Sequence, residues 1–138
     1  MDPRISEARD VALGILKPSQ RDLDYGLELH RQSLVCEAYG FAPNAAVNGD
    51  AMQQAVAAGA SEVEIQDLVE GQHMTRYVSD PRERQECRAA WEAAGVTCIL
   101  QNAGEEGQSP LRLIKRLAHY TYATDMLRDE FMQKAGHP

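Results

Sequence analysis

The segment Ser33–Pro43, SLVCEAYGFAP, is the part of the chain that decides the predicted fold. Its apolar run from Leu34 to Cys36 lacks the alternation of a half-exposed strand, which predicts a short strand covered on both faces. The Gly and Pro that follow predict a polar loop at the carboxyl end of that strand. Catalytic and binding residues of α/β proteins usually lie at such an end. The segment nevertheless contains no histidine and no aspartate.

A second strand of the same kind is predicted at 96–104, VTCILQNAG, after a helical crossover. Two strands joined in this way are expected to be parallel. Apolar periodicity and capping residues predict helices at 3–16, 19–32, 50–58, 61–78, 81–94 and 110–133. The predicted fold class is therefore helix-rich α/β, with about two parallel strands and four to six helices. The alternative is a mainly α-helical fold in which the strands are short or absent.

Composition limits the kinds of function that we expect. The 138 residues predict a single domain, 1–138, and the net charge of -7 argues against a nucleic-acid partner. No apolar run has the length of a bilayer span, so no membrane association is expected. The three cysteines are widely spaced without a CxxC pattern, which favours reduced thiols that act as small core residues in a cytoplasmic protein.

The order of these elements resembles a known enzyme family. The strand SLVCEAYGF, the segment WEAAGVTCILQNAG and the helix PLRLIKRLAHYTYATDML are similar to the N-terminal third of the membrane (renal) dipeptidase family. The similarity runs from about Ser19 to Leu127. It implies a partial metal-dependent (β/α) barrel over 19–138, preceded by a helical extension at 1–18. The family binds two zinc ions at the carboxyl ends of its strands.

The first strand departs from the family at its metal site. The family's strand ends in Asp-Gly-His-x-Asp, whose His and Asp bind metal, whereas Tyr39 and Phe41 stand at those positions here. Neither side chain provides the donors that zinc prefers. The family's remaining ligands lie on later strands that this chain does not have. We therefore expect no metal and no cofactor in this chain, with zinc possible only in a partner chain.

Polar residues at the two strand ends are the candidates for ligand contacts. Glu37 and Tyr39 would face the mouth of a completed barrel, or else Glu37 caps a neighbouring loop and Tyr39 fills space. The loop after the second strand either contacts a ligand or is an ordinary βα loop. Its candidate residues are Gln101, Asn102, Glu105 and Glu106. No residue is assigned a catalytic role, because neither a nucleophile with its base nor a set of metal ligands is recognisable.

The last predicted helix has apolar residues on more than one side. Those expected to divide between the core and an interface with another chain are Leu113, Leu117, Tyr120, Leu127 and Phe131. The basic residues Arg112, Lys115 and Arg116 of the same helix are expected to be solvated, or to meet an acidic partner. We also expect open sheet edges, which proteins normally pair or cover.

Three functions remain open from the sequence. The leading hypothesis is a non-catalytic or incomplete subunit, which assembles either with a complementary barrel chain or with a second copy of itself. As a lone chain it is then not an enzyme, although it could form part of a dipeptidase-like hydrolase complex. The second hypothesis is a helical module that binds a protein or a small ligand. The third is a free-standing hydrolase that uses Glu37, Tyr39 and the loop 101–106.

Overall fold

The computed structural model describes residues 3–105 and 107–135. Within these ranges six helices and two strands follow one another along the chain. In chain order they are α1 (Pro3–Leu16), α2 (Gln20–Gln32), β1 (Cys36–Gly40), α3 (Gly49–Ala57), α4 (Glu62–Ser79), α5 (Pro81–Ala94), β2 (Cys98–Gln101) and α6 (Pro110–Met126). The predicted helix-rich α/β class is confirmed.

The helices α2, α3, α4 and α6 each begin after a residue whose side chain accepts a hydrogen bond from one of the first backbone amides. At α4, Ser61 Oγ accepts a hydrogen bond from Glu64 N at 3.4 Å, and Ser61 N donates to Glu64 Oε2 at 2.8 Å. This reciprocal pair is a capping box. The backbone amide and the hydroxyl of Ser61 hold the pKa of the Glu64 carboxyl below its ordinary value. The side chains of Ser19 and Ser109 cap α2 and α6 by accepting hydrogen bonds from the amides of Asp22 and Arg112.

The two strands form a parallel sheet with one irregularity. Cys36 pairs with Cys98 and Glu37 with Ile99, whereas the next pair is Gly40 with Gln101. One strand therefore advances three residues while the other advances two, which is a β-bulge in β1. Gly40 fits this position because a Cβ there would overlap the side chain of Ile99. The parallel pairing agrees with the sequence prediction, and it separates this fold from the mainly α-helical alternative.

The prediction that the first strand is buried is wrong for this chain. Residues 36–39 of β1 are exposed, and only Gly40 is buried. Leu34, in the apolar run that carried the prediction, is 88 % exposed. Both strands are also shorter than predicted, because backbone pairing ends at Gly40 and Gln101. An apolar run shows that a strand can be covered, but the covering layer must be supplied by other residues.

The contacts of the chain divide it into two compact units. The first, the strand unit, consists of 1–42 and 88–101, and contains α1, α2, both strands and the second half of α5. Among its described residues, α1 and α2 bury no side chain. One close contact lies at the end of α5, where Gly95 has a φ of 63° and a Cβ would approach His30 Cε1 to 2.6 Å. The prediction of a single domain stays a prediction.

The second unit, the helical unit, consists of 43–87 and 102–138 and contains most of the buried side chains. Tyr77 and Leu127 are the largest fully buried ones, at 2 % and 1 % exposure. Burial raises the pKa of Tyr77 well above its ordinary value, with a smaller contribution from Cys87. Arg84 Nε donates to the Tyr77 carbonyl oxygen at 3.1 Å, and its Nη1 donates to Glu130 at 3.1 Å. These bonds fix the end of α4 to the segment after α6.

The helix α6 ends earlier than the sequence predicts. The helix stops at Met126 instead of continuing to Gln133, and Leu127 is its C-cap. Residues 127–131 continue as turns, in which the amides of Glu130, Phe131 and Met132 donate to the carbonyl oxygen of Leu127. None of the helices in the described ranges combines the length and apolarity required to cross a bilayer.

Candidate functional site

Glu37 and Gln101, two of the predicted ligand-facing residues, bind backbone amides in the strand unit. Glu37 Oε1 accepts a hydrogen bond from Tyr39 N at 3.4 Å, and Gln101 Oε1 accepts one from Ala42 N at 2.6 Å. Both bonds satisfy amides next to the bulge and the end of β1, where ladder pairing is lost. This geometry supports the structural alternative for Glu37, which is a cap of the neighbouring backbone.

Tyr39 and Phe41 form an aromatic pair at the end of β1. Their ring centroids are 5.7 Å apart and their planes are inclined by 86°, the edge-to-face arrangement that aromatic rings favour. The two side chains are 68 % and 65 % exposed. They occupy the positions at which the resemblance implies metal ligands. The pair offers an apolar surface there, and neither ring carries a donor suited to zinc.

The loop after β2 begins the helical unit and folds on itself. Asn102 Oδ1 accepts a hydrogen bond from Gly104 N at 3.2 Å, and Glu105 N donates to Gln108 Oε1 at 2.9 Å. The Glu105 carboxylate accepts a hydrogen bond from Arg116 Nη1 at 2.7 Å. The predicted ligand-facing residue Glu106 lies outside the described residues. Asn102 and Glu105 therefore hold the loop together and against α6.

A network of charged residues joins α6 to α4, within the helical unit. Arg112 binds Glu70 through two nitrogen atoms at 3.1 and 3.3 Å, and Arg116 Nε lies 3.4 Å from Glu70 Oε1. Lys115 forms an ion pair with Asp67. Arg116 is only 8 % exposed and all three cations contact carboxylates, so the structure supports the second alternative for this basic face, contact with an acidic partner. The acidic partner is α4 of the same chain.

The pKa values in this network follow from its geometry. The hydrogen bond from Arg116, and then its positive charge, hold the pKa of Glu105 below the ordinary value. Burial alone would lower the pKa of Arg116, but its hydrogen bonds with Glu105 and Tyr120 and the charge of Glu70 outweigh that effect, so the net shift is upward. Arg116 and Glu105 are therefore both charged at neutral pH. The network therefore has a structural role, because its carboxylates already contact the cations of α6.

The predicted interface residues of α6 divide between the core and the surface. Leu127 is buried at 1 % exposure, and Tyr120 and Phe131 are half-buried. Tyr120 Oη donates to the carbonyl oxygen of Asn102 at 3.4 Å. Leu113 and Leu117 remain 36 % and 49 % exposed. Of the five predicted interface residues, Leu113 and Leu117 are therefore the two that are exposed on the surface of this chain.

A larger apolar surface lies on the other side of α6. We call it the outer face, and it consists of Leu111, Leu113, Ile114, Leu117, Ala118, Tyr122 and Met126. Leu111 and Ile114 are each 63 % exposed, and Met126 is 59 % exposed. Positions 111, 114, 118 and 122 follow the three- and four-residue spacing of one helical stripe. The apolar stripe is visible in the sequence. The sequence does not show that α6 contacts α4 through its charged side and not through this stripe.

The helical unit also contains an open cleft between α3 and α4. Its volume is about 590 Å³, and its lining includes Asn48, Gln72, Thr75, Arg76 and Asp80. The positive charge in the cleft is Arg76, whose guanidinium nitrogens lie 2.8 Å from Asp80 and 3.3 Å from Glu83. Because both nitrogens contact carboxylates, Arg76 is not left as an unpaired cation for a ligand. None of the described residues that were predicted to face a ligand lines the cleft.

The described residues contain no group of three or more His, Cys, Asp and Glu side chains placed to hold a metal ion. His73 Nδ1 contacts the carbonyl oxygen of Ala45 at 2.9 Å, and the ring of His119 packs beside Gly71. Comparison with models of protein families, with curated proteins and with solved structures finds no match. A functional proposal must therefore come from the surfaces of the chain itself.

Proposed function

We propose that this protein is a non-catalytic assembly subunit, which pairs with a second copy of itself through the outer face of α6. The observation that supports the proposal is the orientation of α6. Its Arg112 and Arg116 contact α4, while Leu111, Ile114 and Tyr122 are exposed at 63 %, 63 % and 47 %. Helices of globular proteins normally turn their apolar side toward the core. The reversed arrangement leaves a surface that a partner can cover.

The size of the outer face fits a dimer contact. Its six large side chains are 36–63 % exposed. If a fully exposed large side chain presents about 200 Å², they expose on the order of 600 Å² together. Isolated monomers seldom expose larger apolar patches, and a standard interface buries about 800 Å² on each partner. The outer face therefore supplies most of the area that a stable dimer needs.

The charges of the outer face favour a second copy in antiparallel orientation. The chain carries a net charge of -7. The cations of α6 pair with α4, and Asp125, which lies beside Tyr122 and Met126 in the outer face, forms an exposed ion pair with Lys134 at 3.2 Å. The midpoint of α6 is Ala118, whose small side chain permits close approach of two helices. A two-fold axis through Ala118 places Asp125 near the amino-terminal end of the partner helix. That end carries partial positive charge, so the pairing is electrostatically favourable.

The resemblance to the dipeptidase family supports a subunit without catalysis. Tyr39 and Phe41 form an exposed aromatic pair at the positions where the family has metal ligands. The resemblance covers only the first strands and helices of a barrel. These elements need further strands and helices to bury their apolar surfaces. The resemblance is also compatible with a complementary barrel chain as the partner. Measuring the mass of the assembly distinguishes such a chain from a second copy.

Light scattering at micromolar concentration tests the proposal. We expect the mass of a dimer for the wild-type chain. Ile114→Glu should shift it to a monomer, because each interface would bury two uncompensated carboxylates. Val63→Glu is the matched control, since Val63 is 67 % exposed on α4, close to the 63 % of Ile114. A well-folded wild-type monomer contradicts the proposal, and a folded monomer that dimerises only with a complementary barrel chain favours the second partner.

A cysteine pair tests the orientation. In a variant with Cys36, Cys87 and Cys98 replaced by serine, Ala118→Cys should cross-link to its own copy, because residue 118 lies on the two-fold axis. Leu111→Cys should not cross-link to itself, because an antiparallel pair separates the two 111 positions. Efficient cross-linking of both variants indicates parallel helices and contradicts the antiparallel contact.

A further inference from the structure

The two cysteines of the strand unit lie side by side. Cys36 of β1 and Cys98 of β2 are register partners in the parallel sheet. Side chains at matched positions of neighbouring strands point to the same face. The sequence predicted three separate thiols acting as small core residues, and the spacing of 62 positions gave no signal that two of them would meet.

The geometry of the pair fits a disulfide. Neighbouring strands are about 4.7–4.9 Å apart, and disulfides join Cα atoms that are about 4.4–6.8 Å apart. Cys36 is exposed and Cys98 is partly exposed, so a small reagent can reach the pair. Cys87, in contrast, is buried and belongs to the helical unit. The strands therefore bring two thiols together without requiring movement of the backbone.

We propose that Cys36 and Cys98 form a redox-active dithiol, which low-molecular-weight disulfides such as oxidised glutathione convert to an intramolecular disulfide. This site is independent of the dimer contact on α6. In the first step the thiolate of Cys36 attacks one sulfur of glutathione disulfide. A mixed disulfide forms, and one glutathione leaves as a thiolate that takes up a proton.

In the second step the thiolate of Cys98 attacks Sγ of Cys36. The bond between Cys36 and glutathione breaks, the second glutathione leaves, and a bond between Cys36 and Cys98 forms. Two protein thiols are oxidised and one small disulfide is reduced to two thiols, so atoms and electrons balance. Excess reduced glutathione reverses both steps. We assign the first attack to Cys36 because it is the more exposed of the two.

The pair also controls the reactivity of Cys36. The hydrogen bond with Cys98 raises the pKa of the Cys36 thiol, with smaller contributions from burial and from the nearby charges of Cys98 and Glu37. Only the thiolate is nucleophilic, so Cys36 reacts more slowly at neutral pH than an isolated exposed cysteine. The reaction should accelerate as the pH rises toward the raised pKa. Replacement of Cys98 by alanine removes the largest of these causes.

Mass spectrometry after treatment with oxidised glutathione tests the proposal. The wild-type chain should lose two hydrogen atoms, retain no glutathione, and yield a proteolytic peptide that links Cys36 to Cys98. Cys98→Ala should instead retain one glutathione on Cys36. Cys87→Ser is the control and should form the same linkage as the wild type. The proposal is overturned by stable glutathione on wild-type Cys36, by a linkage to Cys87, or by linkage between two chains.

Alkylation by iodoacetamide gives a second, independent measurement. At neutral pH, Cys36 of the Cys98→Ala variant should react several-fold faster than Cys36 of the reduced wild type, since its pKa returns toward the ordinary value. Circular dichroism of the two proteins verifies that both are folded. Equal rates in folded proteins would show that the two thiols do not interact, which also overturns the proposal.

Discussion

Arg116 connects three parts of the helical unit, which are α6, α4 and the loop after β2. Its side chain is 10 % exposed and contacts Glu70 of α4 and Glu105 of the loop after β2. A buried cation of this kind is costly to remove alone, because its carboxylate partners lose part of their compensating positive charge. The residue therefore contributes to stability, although its side chain has the chemistry of a ligand-binding group.

We expect Arg116→Met to destabilise the helical unit. Methionine keeps the apolar contacts of the arginine stem but leaves Glu70, at 16 % side-chain exposure, with one cation fewer. The free energy of unfolding should fall by on the order of 3 kcal/mol. Lys115→Met is the matched control on the same helix and should cost less than about 1 kcal/mol, because its ion pair is more exposed. Urea unfolding of both variants measures the difference, and equal losses contradict the assignment.

The pH dependence of stability should depend on Glu105. Its folded-state pKa is lowered by Arg116, so the unfolded state takes up its proton first on acidification. Its contribution is complete above the unfolded-state pKa and is lost as the pH falls through the lowered folded-state value. Glu105→Gln should therefore lower the melting temperature at neutral pH and match the wild type in acid.

The matching control for this pH effect is the Arg116→Met background. There, Glu105→Gln should change the melting temperature little at any pH, since the cation that lowers the pKa is absent. A pH-dependent difference of the same size in that background would assign the effect to another partner of Glu105. Thermal unfolding followed by circular dichroism provides all four melting curves.

At the scale of elements, local signals predicted the helices better than the strands. The capping box of Ser61 and Glu64 and the Ser109-Pro110 start of α6 each depend on residues a few positions apart, so the local sequence is enough to indicate them. The burial of β1 was predicted wrongly because it depends on a covering layer. The contact of Arg112 with Glu70 spans 42 positions, and no local pattern indicates it.

The candidate site shows the same limit. The sequence located Glu37, Gln101 and Glu105 at strand ends, but their hydrogen bonds to Tyr39, Ala42 and Arg116 appear only in three dimensions. The pairing of Cys36 with Cys98 was missed for a related reason. The contact between these two cysteines follows from the register of the two strands. That register changes at the bulge after Glu37, and no local sequence pattern indicates it.

The bulge makes Gly40 the most restrictive position of the sheet. A Cβ at this residue would overlap the side chains of Ile99 and Glu37. We expect Gly40→Val to separate the ends of β1 and β2, since one of the side chains that it would overlap, that of Ile99, belongs to the neighbouring strand. Amide hydrogen exchange should show faster exchange in both strands and unchanged exchange in α4. Ala38→Val, at an exposed position two residues earlier, is the control and should leave strand exchange unchanged.

At the scale of the whole molecule, the assembly proposal implies that the chain alone has no metal-dependent hydrolysis. Tyr39 and Phe41 stand where the resemblance implies ligands, and their rings contact each other. We expect no stoichiometric zinc after extensive dialysis, and no turnover of simple dipeptides with or without added divalent metal. Elemental analysis and a dipeptide assay measure both. Turnover that is lost in Glu37→Gln or Glu105→Gln would instead favour the free-standing hydrolase.

The two sides of α6 should respond to salt in opposite directions. Its inner side binds α4 through Arg112, Lys115 and Arg116, and partly exposed ion pairs weaken as ions screen them. Its outer face is apolar, and sulfate strengthens the burial of apolar surface. Sodium chloride should therefore lower the stability of Ile114→Glu, whereas moderate ammonium sulfate should tighten the wild-type dimer. One helix would then make the fold sensitive to ionic strength and the assembly sensitive to the identity of the anion.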